Sequence, residues 1–292
     1  MQISSTHNPR VKAAARLRER SGRDDQGRII IDGVREICRA LAAGVKFAEV
    51  FVFSELCHDA EHEALLADIR QSGIERLDVT PPVMEKLAYG NRVEGLVAVA
   101  LPPHRELTDW TAPANALIAI VEGAEKPGNL GAILRTADAA GVAAVIVADG
   151  GTDLYNPNAI RASLGAIFTV PTFAVRSEAA LKWLRSHAFH IFAARVDGSI
   201  DYTAADFSGP VALALGSEAH GLSQEWHAPD ITPIRVPLLG TVDSLNLSAT
   251  AAILFYESLR QRNCSKFQVP SSKSKHGTWN MEHGTWNLKP ET

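Results

Sequence analysis

What most constrains this chain is a set of continuous apolar runs in its second half: ALIAIVEG (116–123), AAVIVAD (143–149), HIFAAR (190–195) and VALALG (211–216). Each is apolar on nearly every residue instead of every second one. A strand of that composition must be covered on both faces, which is the condition of a parallel sheet wrapped by helices. The intervening stretches fit that reading. Helices are expected from about 129 to 140, over AIRASLGA and SEAALKWLRSH, and from about 247 to 261, with IFTVPTFAV strand-like and TPIRVP a further short strand.

The first half repeats the alternation on a smaller scale. RIIIDG (28–33), EVFVF (49–53), RLDVT and EGLVAVAL (94–101) read as strands. VREICRALAAG, HDAEHEALLADIRQSG and the proline-started PPVMEKLAYG read as helices, the first two stopped by Gly44 and Gly73. PPHRELTDWTAPAN (102–115) has three prolines and no period. The expected organisation is therefore an α/β unit over 1–105, a linker over 106–115, a larger parallel-sheet α/β unit over 116–262, and a tail over 263–292. That tail is rich in Ser and Lys and holds HGTWN twice, too little apolar material for a core, so it is expected to be disordered.

Composition narrows the function classes. There is no run of 18 apolar residues and no apolar segment after MQISSTHNPRVK, so neither a membrane span nor a secretory signal is expected. Three scattered cysteines without a CxxC pair fit a reducing cytoplasm and no structural zinc. HDAEH (58–62) has the spacing of an inverted zincin, but its helix is short and polar and no third ligand is evident, so no metal is expected. The net charge of −4 argues weakly against nucleic acid. Residues 1–23 nevertheless carry Arg10, Lys12, Arg16, Arg18, Arg20 and Arg23 against Glu19 alone, a basic arm that could grip RNA phosphates or be only a solvated helix face.

Three loops follow strands of the second unit: VEGAEKPGNLGAILRTADAAG (121–141), ALGSEAHGLS (214–223) and VPLLGTVDSLNLS (236–248). Ligands of open α/β sheets bind at the carboxyl ends of strands, so these loops are expected to converge. The first has the glycine spacing of a P-loop but Asn129-Leu130 in place of Lys-Ser/Thr, and it lacks the G-x-G-x-x-G of a dinucleotide site. Nucleotide triphosphatases and dehydrogenases are thereby disfavoured. Asn129 suits a helix N-cap, and Arg135 lies off the buried stripe of Leu130, Ile133, Leu134 and Ala137, either as a surface partner of Asp138 or as a functional group. Glu218 stands between Gly216 and Gly221, where it could cap a short helix at Ser223 or orient a catalytic group.

Together and in order, the segments Asn129-Leu-Gly131-Ala-Ile-Leu-Arg135, Gly216-Ser-Glu218-Ala-His-Gly221 and Val236-Pro237 with Ser244-Leu245-Asn246-Leu247-Ser248 resemble the three motifs of the SpoU/TrmH family of RNA ribose 2′-O-methyltransferases, in the SPOUT superfamily. Residues 1 to about 100 are similar to the ribosomal-protein-like substrate-binding domain often fused ahead of that catalytic domain, with Asp32-Gly33 where Glu-Gly is usual. The resemblance implies a deep trefoil knot in the parallel-sheet domain, an S-adenosylmethionine pocket made by Gly216, Val236, Leu238, Gly240 and Leu245, and a homodimer with its active site near the interface. It implies a catalytic set of Arg135, Asn129, Glu218, Ser244 and Asn246.

A guanidinium stays protonated, so Arg135 is expected to clamp phosphate and stabilise developing alkoxide charge, the other four holding it and the ribose. Arg10, Lys12, Arg16, Arg18 and Arg20 are the expected RNA contacts. Large-subunit rRNA is the first choice of substrate and tRNA the second, with a non-catalytic RNA-binding module as the rival class.

Overall fold

Two sheets carry the chain in this computed structural model, which describes residues 2–90, 93–150, 153–264, 278–280 and 285–287. The first unit runs α1 (Pro9–Arg16), α2 (Arg20–Gln26), β1 (Ile29–Asp32), α3 (Val34–Ala42), β2 (Phe47–Val52), α4 (Ala60–Gln71), β3 (Glu75–Asp78), α5 (Pro81–Leu87) and β4 (Leu96–Ala100). Its sheet has the order β1-β4-β2-β3, with β4 antiparallel to both neighbours and β2 parallel to β3. Ile30, Phe51, Val97 and Val99 face Val11, Leu17, Val83 and Leu87 from α1 to α5, whereas Ile29, Ile31, Val50 and Val52 face Ile37 and Leu65 on the other side. Both faces are covered, which is why β4 and the first three residues of β1 can be apolar throughout.

The second unit runs β5 (Leu117–Glu122), α6 (Pro127–Ala140), β6 (Ala144–Ala148), α7 (Pro157–Ala162), α8 (Ala166–Thr169), β7 (Thr172–Val175), α9 (Ser177–Ser186), β8 (His190–Ala194), β9 (Ile200–Asp201), β10 (Val211–Leu215), β11 (Ile231–Arg235) and α10 (Leu247–Cys264). Its seven strands are ordered β7-β6-β5-β10-β8-β11-β9, and every pair is parallel. Leu130, Ile133 and Leu134 of α6, with Leu254 and Phe255 of α10, cover one face of the sheet. Leu181 and Leu184 of α9, with Trp226, cover the other.

Three local expectations change. The stretch read as strand-like at 167–175 opens as the helical turn α8, because Leu164 (φ 52°) and Gly165 (φ +81°) reverse the chain and Ile167 and Phe168 then bury into the core. α10 continues to Cys264, past the expected start of the tail. Within that tail, β12 (Thr278–Asn280) and β13 (Thr285–Asn287) pair antiparallel, Trp279 opposite Trp286, so these six residues depart from the expected disorder. A repeated tripeptide of strand-favouring Thr and Trp, spaced by four residues, can close as a hairpin. The rest of the tail expectation lies outside the described residues.

The two units meet through charge as well as apolar contact. Arg23, 4% exposed at its side chain, donates to Asp153 at 2.5 Å. Asp32 at the end of β1 accepts from Arg18 at 3.3 Å and from the Tyr89 amide, and lies 3.7 Å from Arg161 of α7. Arg18 and Arg161 also flank the Tyr89 ring at 5.1 and 5.6 Å. α7 in turn packs on α6 at Gly131, where an added Cβ would lie 2.7 Å from the Ala159 carbonyl and 2.9 Å from the Ser163 amide.

Candidate active site

β5 and β10 are neighbours, and β11 lies beyond β8, so the loops leaving their carboxyl ends open on one edge of the sheet. The loop after β10 is held in a tight form. Ser217 and Gly221 exchange both backbone hydrogen bonds (3.1 and 3.0 Å), with Gly221 at φ +67°. A Cβ on Gly216 would collide with the Gly221 and Leu222 backbone. The Gly-x-Glu-x-x-Gly spacing is thus a doubled-back loop that needs one glycine for close approach and one for its left-handed turn.

This loop, the end of β8 and the segment after β11 enclose a cavity of about 300 Å³. Of the expected cofactor contacts, Gly216, Val236, Leu238 and Leu245 line it, together with Ser244 and Glu218. Gly240 is exposed and does not line it. Backbone at Gly216 beside apolar Leu215, Leu222, Val236 and Leu245 suits a flat aromatic base with polar edges, and the volume is at the lower end of small-molecule sites. S-adenosylmethionine therefore fits these residues.

Glu218 is the meeting point of three segments. Its Oε1 accepts from Asn129 Nδ2 at 2.9 Å and Asn246 Nδ2 at 2.7 Å, and its Oε2 from Lys126 Nζ at 2.8 Å. The ammonium hydrogen bond, with help from the Asn129 amide, holds the Glu218 carboxyl below the usual carboxylate range, and the same bond raises Lys126. Asn246 divides its amide: Oδ1 accepts from the Ser248 amide (3.0 Å) and hydroxyl (2.6 Å) at the start of α10, while Nδ2 faces the carboxylate. The polar cluster at the mouth of the last helix both starts that helix and ties it to the loop after β10.

Several expected roles shift. Asn129 is the third residue of α6, not its N-cap; Lys126 occupies that position, ahead of Pro127, and Asn129 is left free to reach Glu218. Glu218 does not serve Ser223, whose amide and hydroxyl both go to Glu122. Arg135 is exposed, lines neither this cavity nor its neighbour, and makes no contact with the Glu218 cluster. Its alternative partner Asp138 instead accepts from Thr169 at 3.4 Å. Glu218, Asn129 and Asn246 therefore hold one another and Lys126, not Arg135.

The basic arm is folded, as α1 and α2, and most of its charges have partners within the chain: Arg10 with Glu49 and Glu75, Arg16 with Asp25, Arg18 with Asp32, and Arg20 with Asp24. Among the five expected RNA contacts, Lys12 alone has no ion pair with another described residue. In HDAEH, Asp59 caps α4, and both ring nitrogens of His62 are taken, by Asp59 at 2.7 Å and the Glu94 carbonyl at 3.0 Å.

Two residues were missed. Lys126 carries no motif signature. Glu122, at the end of β5 and 6% exposed, accepts from Ser177 Oγ (2.6 Å), Ser223 N (2.7 Å), Ser223 Oγ (2.8 Å) and Trp226 Nε1 (2.8 Å). This buried carboxylate anchors the segment that follows the loop after β10. A lone Glu ending an apolar strand was the only signal in the sequence.

Residues 116–256 match the SpoU rRNA Methylase family, and residues 8–98 match the MRM3-like substrate binding domain. A 23S rRNA (guanosine-2′-O-)-methyltransferase of Xylella fastidiosa is 34% identical over 233 residues, covering 72% of this chain and 94% of that protein. A crystal structure of an RNA 2′-O ribose methyltransferase is 42% identical with a TM-score of 0.79, covering 89% of this chain and 99% of that one. The AdoMet-bound rRNA methyltransferase of Sinorhizobium meliloti is 28% identical with a TM-score of 0.80, covering 89% and 97%.

Proposed function

Because this chain belongs to the SpoU rRNA methylase family, we propose that the loops at the carboxyl edge of its parallel sheet are the active site of an S-adenosylmethionine-dependent RNA ribose 2′-O-methyltransferase acting on large-subunit rRNA. The observation that carries this reading is the convergence of Asn129, Glu218 and Asn246, from three separate segments, at the rim of a cavity floored by Gly216.

Gly216, Val236, Leu238 and Leu245 would hold the cofactor, which supplies an activated methyl group on a sulfonium. The protein's part is to orient a ribose hydroxyl and to manage its proton. Alignment of two bound reactants contributes at most about 7–11 kcal/mol to such a step. The Asn129–Glu218–Asn246 cluster fixes the walls between which the ribose must sit, and Ser244 offers a hydroxyl on the cavity side. Arg135 is the candidate for stabilising alkoxide charge and the flanking phosphate. Its charge is permanent and has no ion-pair partner among the described residues, which supports that role.

The finer reading includes a trefoil knot, a homodimer and a cytoplasmic location. For the knot, the support is that β10 lies centrally between β5 and β8 while α10, leaving the loop after β11, packs back on α6. For the dimer, Leu239, Val242 and Tyr256 are 99%, 61% and 51% exposed beside the site, an apolar group that a second copy would cover. tRNA remains the alternative substrate. Mapping of 2′-O-methyl sites in total RNA with and without the protein tests the reaction: a lost ribose methyl in large-subunit rRNA supports it, and a change confined to base methylation overturns it. Titration with S-adenosylmethionine separates the enzyme from a non-catalytic RNA-binding module, which would show no heat of binding.

A further inference from the structure

A second cavity, of about 190 Å³, adjoins the first and shares Ser217, Glu218 and Leu247 with it. Glu218 therefore stands between them, and a molecule in the second cavity lies directly against whatever fills the first. If the cofactor takes the first, the acceptor sugar has this entrance. The remaining lining includes Gly123, Ala124, Glu125 and Asn129, and among the described residues Lys126 is its sole cation.

The Lys126 side chain is 70% exposed, and its only ion-pair partner among the described residues is Glu218. An ion pair so open to solvent is weakly held and exchanges partners readily. Glu218 does not depend on it: the Asn129 and Asn246 amides also donate to the same carboxylate. The site can release this cation without stranding the carboxylate. A ribose 2′-hydroxyl is adjacent to the 3′-phosphate of its own nucleotide, so an acceptor sugar in the second cavity brings a phosphodiester within reach of a lysine on its rim.

We propose that Lys126 is an RNA-phosphate contact of the active site, held in reserve by Glu218 and transferred to the phosphate next to the target ribose when RNA enters. This rests on the methyltransferase reading above. It assigns the anion to RNA and not to the carboxylate of the cofactor, the other anion that could enter.

The test compares Lys126→Met and Lys126→Arg with the wild type in the full chain, on purified 23S-type rRNA. Measured are S-adenosylmethionine affinity, KM and kcat for RNA, and the slope of RNA affinity against salt. Lys126→Met should raise KM for RNA about tenfold and reduce the salt slope by roughly 0.7–0.9, the contribution of one phosphate contact. Cofactor affinity should stay within about twofold, and Lys126→Arg should restore the slope. A cofactor affinity that falls while KM for RNA holds overturns the assignment in favour of the cofactor carboxylate. An unchanged slope overturns it outright. Absence of methyl transfer by the wild type would overturn the parent reading instead, and the RNA-binding slope is read independently of turnover.

Discussion

Among the described residues the Arg135 side chain makes no hydrogen bond and no ion pair, although Asp138 is only three positions along α6. Many of the other arginines are neutralised internally, Arg10, Arg23 and Arg185 among them. Arg135→Ala should therefore leave the fold and cofactor binding intact while lowering methyl transfer by roughly 10²–10³-fold, the range seen when a charge-stabilising donor is removed from an active site. Near-wild-type single-turnover rates would remove it from the mechanism. Glu36 is a different kind of charge. Burial raises its carboxyl above the usual range, and the nearby Glu94 adds to the effect. A raised folded-state pKa means that ionisation costs stability as pH climbs from the unfolded value, about 4.3, through the folded one. Glu36→Gln should thus be more stable than wild type at pH 7–8, with the advantage vanishing near pH 4 in urea melts; a constant difference across that range would contradict the burial argument. At this scale the motif residues were legible because their chemistry is distinctive. Lys126 and Glu122 were not, because a lone Lys and a lone Glu are commonplace until folding supplies their partners.

The motif glycines act between elements. Gly131 marks the point where α6 crosses α7, and a methyl group there would press on Ala162 and on the backbone of Ala159 and Ser163. Gly131→Ala should cost about 1–3 kcal/mol, the usual range for overpacking a tight contact, seen as a lower urea midpoint. A neutral effect would mean that the two helices can part freely. The spacing of the apolar strands made the parallel sheet legible, since only two-sided cover permits such runs. The turn α8 was not legible. Its apolar, β-branched sequence suits a strand, and tertiary burial of Ile167 and Phe168 overrides that preference.

At the scale of the molecule, the first unit is joined to the second by largely buried charge pairs. Asp153→Ala would leave the Arg23 guanidinium, 4% exposed, without its carboxylate and with only the Leu17 carbonyl, and should destabilise the protein by up to about 3–5 kcal/mol, measurable as a fall in the unfolding midpoint. Little change would show the joint to be dispensable. The same kind of pairing changes how the N-terminal charge is read. A sum over 1–23 counts arginines without the carboxylates that folding brings from residues as distant as Glu75 and Asp153. The Glu122 anchor has a kinetic consequence. Its partners lie 55, 101 and 104 residues further along the chain. Contacts so distant in sequence form late, after the loop-closure entropy has been met. The cavity beside Glu218, the proposed cofactor site, should accordingly be among the last features to mature. On refolding, S-adenosylmethionine binding should return only with the phase that buries Trp226, so a nascent chain acquires its methyl donor when assembly of the sheet is already complete.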